Sequence, residues 1–132
     1  MNVLQEIGYS FTKLENPELT FEEYWESDEY EGSYDFIAHE IIEPDYHSEW
    51  RLESYPEEAK WAKENNLQCF DQEGGGEGGS EYCYMIFSWK DKVYKIEYSY
   101  YSHYGHNFED VESTIREVKP VEKVVTVYED IK

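Results

Sequence analysis

Between Leu14 and Trp50 the chain carries thirteen carboxylates and no Lys or Arg. One sign of charge over so many residues costs self-repulsion when the chain folds, and the resulting field attracts cationic partners over roughly a Debye length of about 8 Å in physiological salt. A fold that keeps this acidic segment, residues 14–50, must turn its carboxylates toward solvent. The acidic segment is therefore the main indication of what the protein binds.

Composition indicates a folded chain despite the charge. The 132 residues have a formal charge of -20, so duplex DNA, RNA and anionic lipid are repelled, and we expect neither direct nucleic-acid binding nor membrane association. Aromatic residues make up 18% and supply the apolar area that disordered acidic chains lack. The length predicts a single domain over residues 1–132.

The ends of the chain and its cysteines indicate a cytoplasmic protein. Met1 to Leu14 has no basic region followed by an apolar run, and no stretch approaches the roughly 20 apolar residues of a membrane span. Cys69 and Cys83 flank a glycine-rich segment. A disulfide between them stays open, but two free thiols are the favoured interpretation for an intracellular chain.

The first half of the acidic segment predicts a short helix. Asn16-Pro17-Glu18 is one possible start, and Thr20 to Glu23 is a second, of the capping-box type. The helix is expected to run to about Tyr30. Phe21, Tyr24 and Trp25 form its apolar stripe at i, i+3, i+4 spacing. The carboxylates that then face solvent are those of Glu22, Glu23, Glu26 and Glu29.

Strand and helix signals alternate after this helix. Tyr34 to Ile42 is rich in aromatic and branched residues and predicts a strand, and Trp50 to Ser54 predicts another extended piece. Ser54 to Glu58 opens a second helix that stops at Asn65-Asn66. Residues 72–80 contain the glycine-rich segment and predict a flexible loop, since it has no Lys and no phosphate-binding pattern.

The C-terminal half predicts most of the β structure. Glu81 to Trp89 and Val93 to Tyr101 are dense in aromatic and branched residues and form a hairpin. Ile115 to Val118 is expected to pair with Val121 to Tyr128. The predicted fold is α+β, with an antiparallel sheet of four or five strands and two short helices packed on one face.

The candidates for catalysis are weak. His103 and His106, with Glu109 or Asp110, suggest a metal site, but such a His pair is more often polar surface structure. Carboxylate pairs are too abundant to single out an acid and a base, and no EF-hand or G-x-S-x-G pattern is present. We therefore predict no catalytic residue, no cofactor and no metal site, and a chain that is not an enzyme.

Mimicry of nucleic acid unites these features. Helical carboxylates such as Glu22 and Glu26 lie roughly 4–6 Å apart along an axis that rises 1.5 Å per residue, a spacing that can imitate a row of phosphates. Arg and Lys of a basic nucleic-acid-binding protein would pair with them. The predicted partner-binding residues are Glu18, Glu22, Glu23, Glu26, Asp28, Glu29, Glu31, Asp35, Glu40, Glu43, Asp45 and Glu49.

Small size, acidity, many aromatics and no enzymatic motif resemble phage-encoded DNA-mimic proteins that block restriction or CRISPR nucleases. The segment from Glu117 to Glu129 is similar to small phage proteins. The resemblance implies a host nuclease or defence complex as partner and the cytoplasm of an infected bacterium as location; a homodimer would lengthen the charged surface. An immunity protein against a nuclease toxin, a metal-dependent hydrolase and an acidic domain charged only for solubility remain alternatives.

Overall fold

The computed structural model describes residues 2–26, 34–73, 80–101, 105–108, 111–121 and 126–131. Within these ranges, five α-helices and one π-helix precede the sheet. They are α1 (Val3–Thr12), α2 (Phe21–Glu26), α3 (Tyr34–Phe36), the π-helix (Ile37–Ile42), α4 (Glu49–Ser54) and α5 (Pro56–Glu64). Among the described residues, no helix is both long enough and apolar enough to cross a bilayer.

Helix α1 begins with a capping box that the sequence analysis did not use. The Asn2 side chain accepts a hydrogen bond from the Gln5 amide at 2.9 Å, and the Gln5 side chain accepts one from the Asn2 amide at 2.8 Å. The two reciprocal bonds satisfy donors at the start of the helix. Leu4 and Ile7 are fully buried one turn apart, so α1 presents an apolar face to the rest of the core.

The sheet is antiparallel and contains β1 (Gln68–Glu73), β2 (Ser80–Trp89), β3 (Lys92–Tyr101), β4 (Gly105–Asn107) and β5 (Arg116–Val118). Its order is β1-β2-β3, and both β4 and β5 pair with β3 on the edge that β2 leaves open. A 3₁₀ turn, Val111–Thr114, precedes β5. The predicted α+β class and the hairpin of β2 and β3 are confirmed.

The inner face of the sheet meets the helices. Cys83, Met85 and Phe87 of β2 are buried, and their partners across the ladder include Tyr98 and Ile96 of β3. Apolar side chains of α1, the π-helix and α5 join them in one buried cluster. Because one face of the sheet is covered, alternate residues of β2 and β3 point to the opposite, outer face.

Helix α5 is the predicted second helix, and its Trp61 side chain packs against the sheet. Pro56 occupies its first turn, and Asn66 follows it with a positive φ of 53°, a conformation that Asn tolerates at helix ends. The Trp61 ring lies 5.7 Å from that of Trp89 in β2, and the Trp61 indole donates a hydrogen bond to the Ser10 hydroxyl at 2.9 Å. Trp61 therefore connects α1, α5 and the sheet.

Two strand predictions in the acidic segment are wrong. Tyr34 to Ile42 is helical, because Ile37, Ala38, Ile41 and Ile42 form one buried stripe against α1 and the rest of the core. Trp50 to Ser54 lies in α4, whose first turn is capped when the Ser48 hydroxyl accepts a hydrogen bond from the Arg51 amide at 3.2 Å. Burial and capping outweigh the β-preference of branched and aromatic residues.

Other predicted helix and strand boundaries also differ from those of the structure. Helix α2 begins after Thr20, so the start at Asn16-Pro17-Glu18 is wrong, and its predicted continuation over 27–30 lies outside the described residues. Ile115 to Val118 does contain a strand, but β5 pairs with β3, and the described residues of the expected partner, 121 and 126–128, are not in a strand. Gln72 and Glu73 belong to β1 and Ser80 to β2, whereas 74–79 lie outside the described residues.

Gly8 allows α1, α2 and the π-helix to approach closely. A Cβ atom on Gly8 would lie 2.9 Å from Cδ1 of Ile37 and would collide with the Tyr24 hydroxyl. Real Cβ atoms do not come so near their neighbours, so any side chain here forces the helices apart. The packing of the acidic segment on α1 thus depends on a residue that has no side chain.

We expect Gly8→Ala to destabilise the protein by about 1 kcal/mol or more, because the cost of overpacking, about 1–3 kcal/mol, exceeds the gain in helix propensity. Urea unfolding measures the change. The double variant Gly8→Ala/Tyr24→Phe should lose less than the sum of the single variants, because the colliding hydroxyl is gone. A more stable Gly8→Ala protein would contradict the close contact.

Candidate protein-binding surface

A capping box holds the first turn of helix α2. The Thr20 hydroxyl accepts a hydrogen bond from the Glu23 amide at 3.2 Å. In return, the Glu23 carboxylate accepts one bond from the Thr20 hydroxyl at 2.9 Å and one from the Thr20 amide at 3.2 Å. This is the predicted capping box, and it orients Glu23 back toward the start of the helix. Glu22 and Glu26 are exposed one turn apart on the same helix.

Aromatic rings attach α2 to α1, as the predicted apolar stripe requires. The Tyr9 ring lies 5.7 Å from that of Phe21, edge to face, and 5.9 Å from that of Tyr24, which is 3% exposed. The Tyr9 hydroxyl also donates a hydrogen bond to the Leu19 carbonyl at 2.7 Å. These contacts leave Glu22, Glu23 and Glu26 exposed, which confirms the predicted orientation of this part of the acidic segment.

His39 brings two of the predicted binding residues together on the helical segment that follows. Its Nδ1 lies 2.9 Å from Oε2 of Glu43, and its Nε2 lies 3.7 Å from Oδ1 of Asp35. The imidazole also meets the rings of Tyr98 and Phe108 edge to face, at 6.0 and 5.6 Å. Asp35 and Glu43 are therefore partly engaged within the protein and are less available to a partner than Glu40, which is exposed.

The remaining predicted binding residues fall into two groups. Glu18, Asp45 and Glu49 are exposed, and the Asp45 carboxylate accepts a hydrogen bond from the His47 amide at 3.0 Å. Asp28, Glu29 and Glu31 lie outside the described residues. The structure therefore places nine of the twelve predicted residues, and only Asp35 and Glu43 among these nine are half-buried.

Positive charge lies mainly elsewhere. The ion pairs of Lys and Arg join Lys60 to Glu64, Lys90 to Glu6, Lys92 to Glu117 and Arg116 to Glu97. Over the ranges that the structure describes, Glu18, Glu22, Glu26, Glu40 and Glu49 form no ion pair with Lys or Arg. These five carboxylates are exposed to solvent, and no Lys or Arg of the described residues neutralises them.

Aromatic rings surround the one Arg next to the acidic segment. The Arg51 guanidinium lies 5.4 Å from the Trp50 ring, 5.2 Å from that of Tyr55 and 5.8 Å from that of Tyr46. Trp50 is 60% exposed and Tyr55 42%. This group was not predicted from the sequence, because Trp50 was assigned to a strand. Its residue types, Trp, Tyr and Arg, are those enriched in the hot spots of protein interfaces.

Like charges also crowd one carboxyl at the edge of this region. Partial burial raises the pKa of Glu58 above its usual range, the Arg51 guanidinium opposes the shift, and the charges of Glu15 and Glu57 raise the pKa further. Glu15 of the acidic segment and the first turn of α5 therefore contribute to one negative field. Such a field favours any cation that approaches.

Clusters of metal-ligating side chains are absent from the part of the chain that the structure describes. No group of three or more His, Cys, Asp and Glu side chains there could hold a metal ion. Of the candidate metal ligands, His103, Glu109 and Asp110 lie outside the described residues, and the side chain of His106 is not described.

Cys69 and Cys83 form no disulfide, as expected. Burial raises the pKa of Cys69 to about 11, and the charges of Glu43 and Asp71 add to this shift while a backbone hydrogen bond at Asp71 opposes it. A thiol that is so weakly acidic is a poor nucleophile at neutral pH.

The comparisons with known proteins find no relative: no family model matches the chain, and neither a curated protein nor a solved structure does.

We expect Thr20→Ala to destabilise α2 by about 0.5–1 kcal/mol, because the exposed capping box loses both bonds to the hydroxyl. Hydrogen exchange at the Glu23 amide should become faster while exchange in β2 stays unchanged. Thr20→Ser keeps the hydroxyl and serves as the matched control. Equal protection of the Glu23 amide in the Ala and Ser variants would show that the box does not order α2.

Proposed function

We propose that the protein is an acidic inhibitor that mimics nucleic acid and occupies the basic DNA- or RNA-binding surface of a host defence nuclease, in the cytoplasm of an infected bacterium. One observation carries the proposal: exposed carboxylates of the acidic segment lie on packed helices with no ion pair to Lys or Arg among the described residues. A partner with Lys and Arg side chains on its surface can form ion pairs with these carboxylates.

Spacing supports this proposal. Glu22 and Glu26 are four residues apart on α2, which places them about 6 Å apart along the helix axis. Duplex DNA carries one negative charge per about 1.7 Å of axis, counted over both strands, so a few such pairs reproduce a short stretch of one strand. Arg and Lys side chains that bind phosphates also bind carboxylates with charge-assisted hydrogen bonds.

Rigidity of α2 supports it as well. The capping box at Thr20 and the ring contacts of Tyr9 order the helix before any partner arrives. Ordering a segment during association costs affinity, so carboxylates on a helix that is already folded bind more tightly than the same charges on a disordered tail. Folding thus gives the acidic segment an advantage that composition alone would not.

A second candidate is an immunity protein that plugs the active site of a nuclease toxin. The exposed ring of Trp50, beside Arg51 and Tyr55, favours it, because a Trp anchor contributes most when it fills a specific pocket of one partner. Mimicry of a nucleic-acid contour depends instead on the rows of carboxylates. Variants of the two groups therefore separate the two functions.

We expect the protein to inhibit cleavage of a labelled duplex by at least one nuclease in a panel of restriction and CRISPR enzymes. Glu22→Lys/Glu26→Lys should weaken that inhibition about tenfold or more, which corresponds to ~1.4 kcal/mol, because two attractive contacts become repulsive. Nuclease assays with increasing inhibitor measure the change. A panel in which no enzyme is inhibited would count against the proposal.

The matched control is Asp91→Lys/Asp130→Lys, which changes the net charge equally at two exposed positions outside the acidic segment. If this control weakens inhibition as much as Glu22→Lys/Glu26→Lys does, net charge and not the acidic segment determines binding. If Trp50→Ala abolishes inhibition while Glu22→Lys/Glu26→Lys leaves it intact, the immunity-protein alternative is favoured.

We expect the association rate with the inhibited nuclease to fall by about tenfold between about 50 and 200 mM salt, because screening removes the long-range attraction. Stopped-flow mixing at several salt concentrations measures it. The dissociation rate should change much less, since charges at the rim act mainly on encounter. An association rate that does not depend on salt would be inconsistent with electrostatic mimicry.

A further inference from the structure

The outer face of the sheet, opposite the helices, contains an apolar groove. Its volume is about 380 Å³, and it is lined by Phe70, Ile86, Val93, Val118, Lys119 and Pro120. Val93 and Val118 are direct partners in the β3–β5 ladder, so two strands form one wall. The walls are almost entirely apolar although the face is open to solvent, so an apolar side chain that enters the groove gains free energy by leaving water.

A bulge in β1 supplies the opposite wall. Cys69 pairs with Phe87 and Asp71 pairs with Ile86, so Phe70 is an extra residue between two consecutive partners. Such a bulge redirects side chains and is common where a sheet edge has a particular use. Phe70 is 54% exposed and reaches the groove instead of the core.

The chain that leaves this groove carries its own exposed apolar side chains. Pro120 lines the groove, and the described residues that follow it, 121 and 126–131, are in neither helix nor strand. Val121 and Val127 are each 73% exposed, Tyr128 91% and Ile131 100%. Branched and aromatic residues of this kind fit a half-buried strand and gain free energy when they leave water.

The charges near the groove allow a second copy of the chain to bind at the outer face of the sheet. Lys90, Lys92, Lys95, Arg116 and Lys119 lie in or next to β1, β2, β3 and β5, where they nearly balance the six carboxylates of the same stretches. The C-terminal segment, residues 121–131, likewise mixes both signs, with Lys123 among its acids. Two copies that meet here avoid the repulsion that would separate two acidic segments.

We propose that the C-terminal segment of one copy docks into the groove of a second copy and receives that copy's segment in return. Each chain carries both the apolar groove and apolar side chains that could fill it. Tyr128 and Ile131 are nevertheless exposed within the single copy. Reciprocal docking satisfies both at once and closes as a symmetric dimer, which leaves no open site for further copies. The proposal does not depend on the proposed function, because it uses apolar side chains on a different surface.

The test is the mass of the full chain by sedimentation, from micromolar to millimolar concentration. We expect the mass to rise from 15.9 kDa to twice that value. Tyr128→Ser/Ile131→Ser and Phe70→Ser should each remain monomeric, whereas Leu52→Ser removes an apolar side chain of α4 that is about as exposed as Phe70 and should dimerise normally. All these positions are exposed, so the variants should fold, and circular dichroism checks this.

Mixing the two defective variants makes the test specific. The Phe70→Ser copy keeps its segment and the Tyr128→Ser/Ile131→Ser copy keeps its groove, so one of the two contacts re-forms and the mixture should dimerise weakly. A monomer at every concentration, or a dimer that both variants leave unchanged, would overturn the proposal. Dissociation of the dimer by high salt would also overturn it, because apolar docking is not weakened by screening.

Discussion

The close packing of α1 against α2 and the π-helix is the contact on which the rest of the structure depends. Burying one side chain such as Ile37 or Ile41 contributes about 1.5–3 kcal/mol, whereas a pair of exposed charges interacts by about 1 kcal/mol or less. Apolar burial therefore outweighs the repulsion within the acidic segment. Gly8 makes this burial possible, because a Cβ there would meet Tyr24 and Ile37.

Separation of charge follows from this arrangement. The acidic segment packs through its aromatic and branched side chains and turns most of its described carboxylates outward, while the ion pairs of Lys and Arg lie on α5, the hairpin and β5. The protein thus has two surfaces with different physics. One surface attracts cations, and salt weakens that attraction. The other surface is nearly neutral and apolar.

Local signals in the sequence were sufficient for some elements. The hairpin of β2 and β3 follows from two dense apolar runs around a short turn, and the Thr20 box and the start of α5 at Pro56 follow from capping chemistry. The π-helix could not be predicted in this way, because Ile37, Ile41 and Ile42 favour a strand until α1 is available to bury them. Helix α1 itself was overlooked, although Asn2 and Gln5 carry a capping signal.

Contacts between distant segments explain the other differences. Strand β5 pairs with β3 and not with the chain that follows it, a choice that depends on the open edge of β3. At the candidate surface, the exposed positions of Glu22 and Glu26 follow from helical periodicity. The engagement of Asp35 and Glu43 by His39 does not, because their i, i+4 spacing has meaning only on a helix.

The most direct test of the acidic segment as the binding surface is hydrogen exchange of the protein in complex with a nuclease that the proposed inhibition assay identifies. The account predicts slower exchange over residues 18–26 and 34–49 on binding, with β2 and β3 unchanged. Protection confined to the hairpin or to the outer groove, with the acidic segment unaffected, would contradict it.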